Sequence, residues 1–251
     1  MGDFVHASGR GPTSRTFTNR NFVAVTSADF LARTAYQMAK TPLLPIFAAG
    51  LGAGDAFLGL IVSVSTFTGM VLKPLIGILS DRWGRRLWLI GGTVFFAGMP
   101  FVYQFVQTPG QLFAVRIVHG LATAIYGPVT LAYVTEITGA RRAEGLGWFG
   151  LARSGGYIVG PALAGGLLLV LDPVTVFTIV GLLGCAVFVP ILMLGEPEHP
   201  DGLVHSALTA QIRAGLGAGL KTPALWLAGG LEAVAYVGLY AMKAFLPVYA
   251  L

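Results

Sequence analysis

Seven runs of about twenty or more mainly apolar residues divide this sequence, and no other feature limits its fold as strongly. They lie near Phe22–Ala49, Ala56–Leu79, Leu87–Val106, Leu112–Thr135, Gly145–Leu171, Val174–Leu194 and Ala224–Leu251. A helix needs about twenty such residues to cross a bilayer, and within hydrocarbon every backbone amide must be satisfied internally. Only 11% of residues are charged, against about 25% in an average soluble domain, so the surface cannot be dressed for water. The mean hydropathy of +0.75 agrees. The 35 glycines suit helices that approach closely within a membrane. The expected class is an all-α polytopic membrane protein, with the lipid bilayer as its first partner.

Short connections at Gly50–Asp55, Gln107–Gln111 and Asp172–Pro173 force adjacent spans to run antiparallel. The basic residues then set a direction. Arg10, Arg15 and Arg20 precede span one. Arg82, Arg85 and Arg86 follow span two, Arg141 and Arg142 follow span four, and Arg213 and Lys221 follow span six. The opposite connections carry only Asp55 and Asp172. Positive charge marks the cytoplasmic side, so a multi-pass inner (plasma) membrane protein with a cytoplasmic N-terminus is expected. Residues 1–21 lack an apolar signal region and read as a cytosolic tail. Residues 22–194 form the six-span bundle, 195–222 a cytosolic linker rich in Glu and Pro, and 223–251 a seventh span. That span reaches Leu251 without a polar flank, which reads as a truncated chain. The lone cysteine, Cys185, is expected to be a small core residue.

Charged residues nevertheless occur inside the spans. Asp29, Arg33, Gln37 and Lys40 fall within about 80° of one another on a helix turning 100° per residue. Each charge at mid-membrane costs about 2.5–3.5 kcal/mol, so this face must meet water or partners. Asp29 and Arg33 are one turn apart and placed to pair. Span seven carries Glu232, Tyr236, Tyr240 and Lys243 in the same angular pattern, and its acid and lysine are eleven residues apart, as are Asp29 and Lys40. Span four adds Arg116, Gly120, Thr123, Gly127 and Thr130 on one face, with His119 to one side. These side chains are expected to line an aqueous central cavity. Lys73 and Arg153, nearer the cytosolic ends, are expected to snorkel outward. Trp83, Trp88 and Trp148 suit an interfacial belt.

The loop between spans two and three reads Gly77-Ile-Leu-Ser-Asp81-Arg82-Trp-Gly84-Arg85-Arg86. It resembles the signature loop of the major facilitator superfamily, G-x-L-[AS]-D-[RK]-x-G-[RK]-[RK], at every fixed position. Gly77 and Gly84 permit close approach or a tight turn, and Asp81 can cap a helix start. Arg116-x-x-x-Gly120-x-x-x-Ala124 is similar to the family's span-four pattern. Gly156-x-x-x-Gly160-Pro161 with Ala164 and Gly165 is similar to the span-five motif of antiporter members, with Ala164 in place of a glycine. Small residues at this spacing also serve plain packing.

The resemblance implies a fold of two six-helix bundles with substrate bound between them. Here it covers the N-terminal bundle plus the first helix of the second. It implies a secondary active transporter working by alternating access, with a small-molecule substrate and a proton as coupling ion, closest in look to drug or metabolite efflux. The matching acid and lysine on spans one and seven fit the parallel repeats of such carriers. An importer of sugars or organic anions is the nearest alternative, since basic groups outnumber acids in the expected cavity. An enzyme is not expected: the four histidines, His6, His119, His199 and His205, are scattered, and no metal cluster or cofactor motif is present. A non-transporting sensor remains a minor alternative, and no nucleic-acid module is present.

Overall fold

The structure is a computed structural model that describes residues 19–196 and 208–249. The expected tail arginines Arg10 and Arg15, residues 197–207 of the expected linker, and the side chains of Glu232, Tyr240 and Lys243 lie outside the described residues. Every regular element described is helical: α1 Arg20–Met38, α2 Leu44–Gly50, α3 Asp55–Trp83, α4 Arg85–Val102, α5 Pro109–Thr138, α6 Arg142–Leu168, α7 Pro173–Ala186, α8 Phe188–Leu192, α9 Leu208–Leu220 and α10 Pro223–Tyr249.

Four helical stretches are long and apolar enough to cross a membrane: Asp55–Trp83, Arg85–Phe105, Pro109–Leu168 and Pro173–Leu192. A bent fifth combines Ile212–Leu220 with Pro223–Leu239. The third runs for 60 residues, but it doubles back at Gly139–Arg141. A straight helix would hold Thr130 and Arg153 about 35 Å apart at 1.5 Å per residue. Instead, Arg153 Nη2 donates to Thr130 Oγ1 at 2.8 Å. The chain is therefore a multi-pass helical membrane protein. Leu169, Val170, Ile158, Phe67 and Leu151 are each at least 62% exposed on its outside, a coat that suits lipid and not water.

The first span differs from the rest. Asp29, Arg33 and Gln37 with several Ser and Thr residues make α1 the least apolar of the long helices. Pro42 interrupts it, and Thr41 leaves the helical region at φ −147°, ψ 121° before α2 resumes. Twelve of the nineteen residues of α1 are buried, so protein surrounds it where its neighbours meet lipid. It packs on α6, α7 and α5, while α5 packs closely on α3 and α4.

Local chemistry sets the ends of these helices. Asn19 caps α1 by accepting from the amides of Asn21 and Phe22. Thr108 and Gln111 form a capping box at α5, with Pro109 in the first turn. Asp172 caps α7 through the amides of Val174 and Thr175. Within the expected linker, α9 is helical over Leu208–Leu220. Cys185 is exposed and not in the core. In a membrane bundle the outer face is itself apolar, so a cysteine in an apolar run has no need to point inward.

Candidate functional site

Asp29 organises the charges at the centre of the bundle. Its carboxylate is 1% exposed, and both oxygens are held by Arg153 of α6, with Nε to Oδ2 at 2.9 Å and Nη2 to Oδ1 at 2.8 Å. Arg153 also donates to Thr130 on α5, and its guanidinium lies 4.6 Å from the Phe149 ring. The Arg153 guanidinium thereby ties α1, α5 and α6 together. The expected pair with Arg33 is secondary, with Arg33 Nε 3.6 Å from Oδ1 and no hydrogen bond at that nitrogen. Arg153 does not snorkel outward: Asp29 lies within its reach, and a forked hydrogen-bonded pair draws it inward.

Arg33, Gln37 and Lys40 line a cavity of about 100 Å³ with Tyr36, Thr66, Lys73, Thr123, Gly127 and Tyr157. Lys40 Nζ donates to Thr66 Oγ1 at 3.1 Å and stands 5.6 Å from the centre of the Tyr36 ring. Lys73 also points inward, its stem running past Gly127, where an added Cβ would lie 3.5 Å from Lys73 Cε. A wider space of about 800 Å³ shares Arg33, Thr66, Lys73, Gly127 and Tyr157 with this cavity. Gly229, Ala233, Tyr236 and Val237 of α10 close its far side. Of the span-seven candidates, the described Tyr236 thus faces the same space as the span-one stripe.

Arg116 and His119 do not line either space. Arg116 is 1% exposed; its Nε donates to the Ile61 carbonyl at 3.4 Å and its Nη2 to the Ser65 hydroxyl. It clips α5 to α3 behind the cavity wall. Close approach makes this possible, since an added Cβ at Gly120 would fall 2.5 Å from Thr68 Cβ, and one at Gly69 would fall 2.6 Å from Thr123 Oγ1. His119 hydrogen-bonds Tyr103 at 2.9 Å through Nδ1 and packs edge-on against Tyr36 and Phe96. Its Nε2 is buried without a hydrogen-bond partner among the described residues. Beside the expected Arg33, Gln37, Lys40 and Thr123, the cavity surface includes Tyr36, Thr66, Lys73 and Tyr157, which the sequence reading does not mark as site residues.

The loop motif forms a second polar cluster, between α3 and α4. Asp81 pairs with Arg85 at 2.8 Å one turn on, and Arg85 also pairs with Glu136 at the end of α5. Asp81 lies in the last turn of α3 and caps nothing. Glu196 caps α4 instead, accepting from the Arg85 amide at 2.7 Å and the Arg86 amide at 3.3 Å. The turn needs Gly84, whose φ is +89°, and an added Cβ there would lie 2.8 Å from Glu196 Oε1. Gly77 has open space around it, so close approach is not its role. Arg86 donates to the Leu192 carbonyl at 3.2 Å. Trp83 and Trp88 stack with ring centres 6.1 Å apart beside this cluster, and Trp83 and Trp148 are partly exposed.

In α6 the glycine pattern packs helix on helix. An added Cβ at Gly156 would fall 2.9 Å from Arg33 Cβ, and one at Gly160 would fall 2.7 Å from the Thr34 carbonyl oxygen. Pro161 follows within the same helix, and Gly165 meets nothing. The glycines therefore seat α1 on α6 at the level where Arg33 and Gln37 enter the cavity. Among the described residues, no group of three or more His, Cys, Asp or Glu side chains could hold a metal ion.

Residues 26–251 match the Major Facilitator Superfamily. The chain is 29% identical over 159 residues to Multidrug resistance protein 1 of Bacillus subtilis, covering 63% of this chain and 41% of that protein. It is 32% identical over 125 residues to an uncharacterised MFS-type transporter of Methanocaldococcus jannaschii, covering 49% and 32%. It is 24% identical over 159 residues to the Quinolone resistance protein NorA of Staphylococcus aureus, covering 62% and 41%. In each case the match spans less than half the length of the relative.

Proposed function

This chain belongs to the major facilitator superfamily, and from that premise we propose that it works as a secondary active transporter. It moves a small solute by alternating access, coupled to protons, in the direction of drug or metabolite efflux. One observation carries the transport reading: a cavity lined by Arg33, Lys40, Lys73, Gln37 and Tyr157 sits among helices whose outer faces are apolar. Cationic side chains at that depth are costly unless they serve an ion or solute path. Efflux is supported by the resistance proteins among its relatives.

The division proposed is a cytosolic tail over 1–21, a six-span bundle over 22–194, a linker over 195–222 and a seventh span over 223–251, with the N-terminus in the cytoplasm. Asp29 and Glu232 are the candidates for coupling. Because two arginines face Asp29, a proton placed there would leave both guanidiniums without their counter-charge. Coupling at Asp29 therefore requires Arg153 to move away during the cycle. Import of an organic anion is the competing direction, favoured by the same cationic lining.

The test uses the purified chain in liposomes loaded with a pH-sensitive dye, with ethidium and 2-naphthoate as cationic and anionic probes. Proton-coupled transport predicts that an imposed pH gradient drives probe movement and that probe addition shifts the lumenal pH. Probe movement without any pH response would remove proton coupling. No movement of either probe by folded protein would count against the transport reading.

A further inference from the structure

We propose that Arg33 and Lys73 form an anion-binding subsite that takes the carboxylate, sulfonate or phosphate of an amphipathic molecule. The proposal rests on the transporter reading and assigns that reading a ligand class. Its starting point is a count of partners. Asp29 is the one carboxylate described beside this cavity, and Arg153 occupies both its oxygens. Arg33 is left with a 3.6 Å approach to Asp29 and an Nε without a hydrogen-bond partner among the described residues, although the residue is only 7% exposed. A guanidinium offers five N–H donors in a planar fork that matches an oxyanion. Arg33 lines both spaces, and no hydrogen bond among the described residues claims its guanidinium, so it is suited to receive one.

Lys73 supplies the second charge. It reaches the same cavity from α3, and Arg33 and Lys73 line both the narrow space and the wide one. Lys40, held by Thr66 at the narrow end, adds to the positive potential. A partly dry cavity strengthens each of these attractions relative to water. The wide end has a different character, with Met70, Pro128, Leu131 and Val237 forming an apolar wall. The fitting molecule thus places its charged head between Arg33 and Lys73 and its apolar body toward α10.

Two sources share this chemistry, a small organic anion and the phosphate of a lipid headgroup. Binding is measured to the full 251-residue chain in phosphatidylcholine nanodiscs, with 2-naphthoate and its cationic counterpart 2-naphthylmethylammonium as matched probes. The proposal expects saturable naphthoate binding at least about tenfold tighter than the ammonium. Arg33→Gln and Lys73→Gln should each weaken it about tenfold, and Arg33→Lys should lose less than Arg33→Gln. Lys73→Gln keeps the test usable where Arg33→Gln fails to fold, because no described ion pair depends on Lys73. Equal or tighter binding of the ammonium would overturn the proposal. Unchanged naphthoate affinity in both glutamine variants would overturn it as well. Replacing part of the lipid with phosphatidylglycerol separates the sources. Suppressed naphthoate binding identifies a lipid phosphate as the occupant, and unaffected binding identifies the soluble anion. Flux without charge preference would keep the transporter and remove the subsite; charge-selective binding without flux would do the reverse.

Discussion

The pairing of Asp29 with Arg153 makes a quantitative prediction, because it names which of two nearby arginines holds a buried carboxylate. Asp29→Asn keeps the side-chain size and one oxygen acceptor but removes the charge that two guanidiniums face. Breaking a buried ion pair by removing one partner costs about 3–5 kcal/mol. The retained amide oxygen can still accept from Arg153, which places this variant near the lower end, about 3 kcal/mol. For chains of this size a loss of 1 kcal/mol lowers the melting temperature by about 2–4 °C, so a fall of about 6–12 °C is expected. Thermal unfolding in detergent, followed by tryptophan fluorescence, would measure it. A double-mutant cycle then identifies the partner. The cycle of Asp29→Asn with Arg153→Gln should give a coupling above about 1 kcal/mol, within the range usual for hydrogen-bonded neighbours. The cycle with Arg33→Gln should give less, since its approach is 3.6 Å without a hydrogen bond. Equal couplings, or a larger one for Arg33, would refute the assignment of Arg153 as the anchor of α6 on α1.

Three further outcomes follow from local geometry. Gly160→Ala should lose about 1–3 kcal/mol, as overpacking does, because its Cβ would lie 2.7 Å from a backbone oxygen of α1; Gly165→Ala, in open space, should melt within about 0.5 kcal/mol of the parent. Gly84→Ala should cost about 1–3 kcal/mol through its left-handed φ of +89° and should speed hydrogen exchange at the Arg85 and Arg86 amides as Glu196 is displaced. Hydrogen bonding from Thr175 lowers the pKa of the Asp172 carboxyl from the usual 3.8. A carboxyl depressed by folding stabilises above its unfolded pKa and loses that contribution as pH falls through its folded one. Protection of the Val174 and Thr175 amides should therefore hold at neutral pH and fade only below about pH 4, whereas Asp172→Ala should show low protection throughout.

Much of this architecture is legible in the sequence because lipid imposes a coarse rule. Long apolar runs must be helical, and short links such as Asp172–Pro173 must reverse direction, so the order of the helices follows from counting. The stripe of Arg33, Gln37 and Lys40 is legible for the same reason: charge on an otherwise apolar helix has to face inward, and all three reach one cavity. Helical angle, however, says which way a residue points and not which neighbour it meets. Asp29 and Arg33 are adjacent on one helix, so local spacing favours their pairing. The better-formed bond comes from a residue 124 positions away.

A signal for that bond does exist, in the glycines. At 100° per residue, Arg153 lies about 60° from Gly156 and about 20° from Gly160, on the face that seats α6 against α1. Small residues at a membrane helix contact let backbones approach, and a charged side chain on such a face is delivered to the opposing helix and not to the interface with water. Lys73 obeys the same logic, lying about 20° from Thr66 on α3, and both line the cavity. Depth along the axis suggests snorkelling for both residues; angular position forbids it. Angle prevails because a long basic side chain can travel several ångströms along its helix but cannot pass through the neighbour packed beside it. An intramembrane Arg or Lys is thus assigned more securely by the small residues that share its face than by its distance from the end of the span.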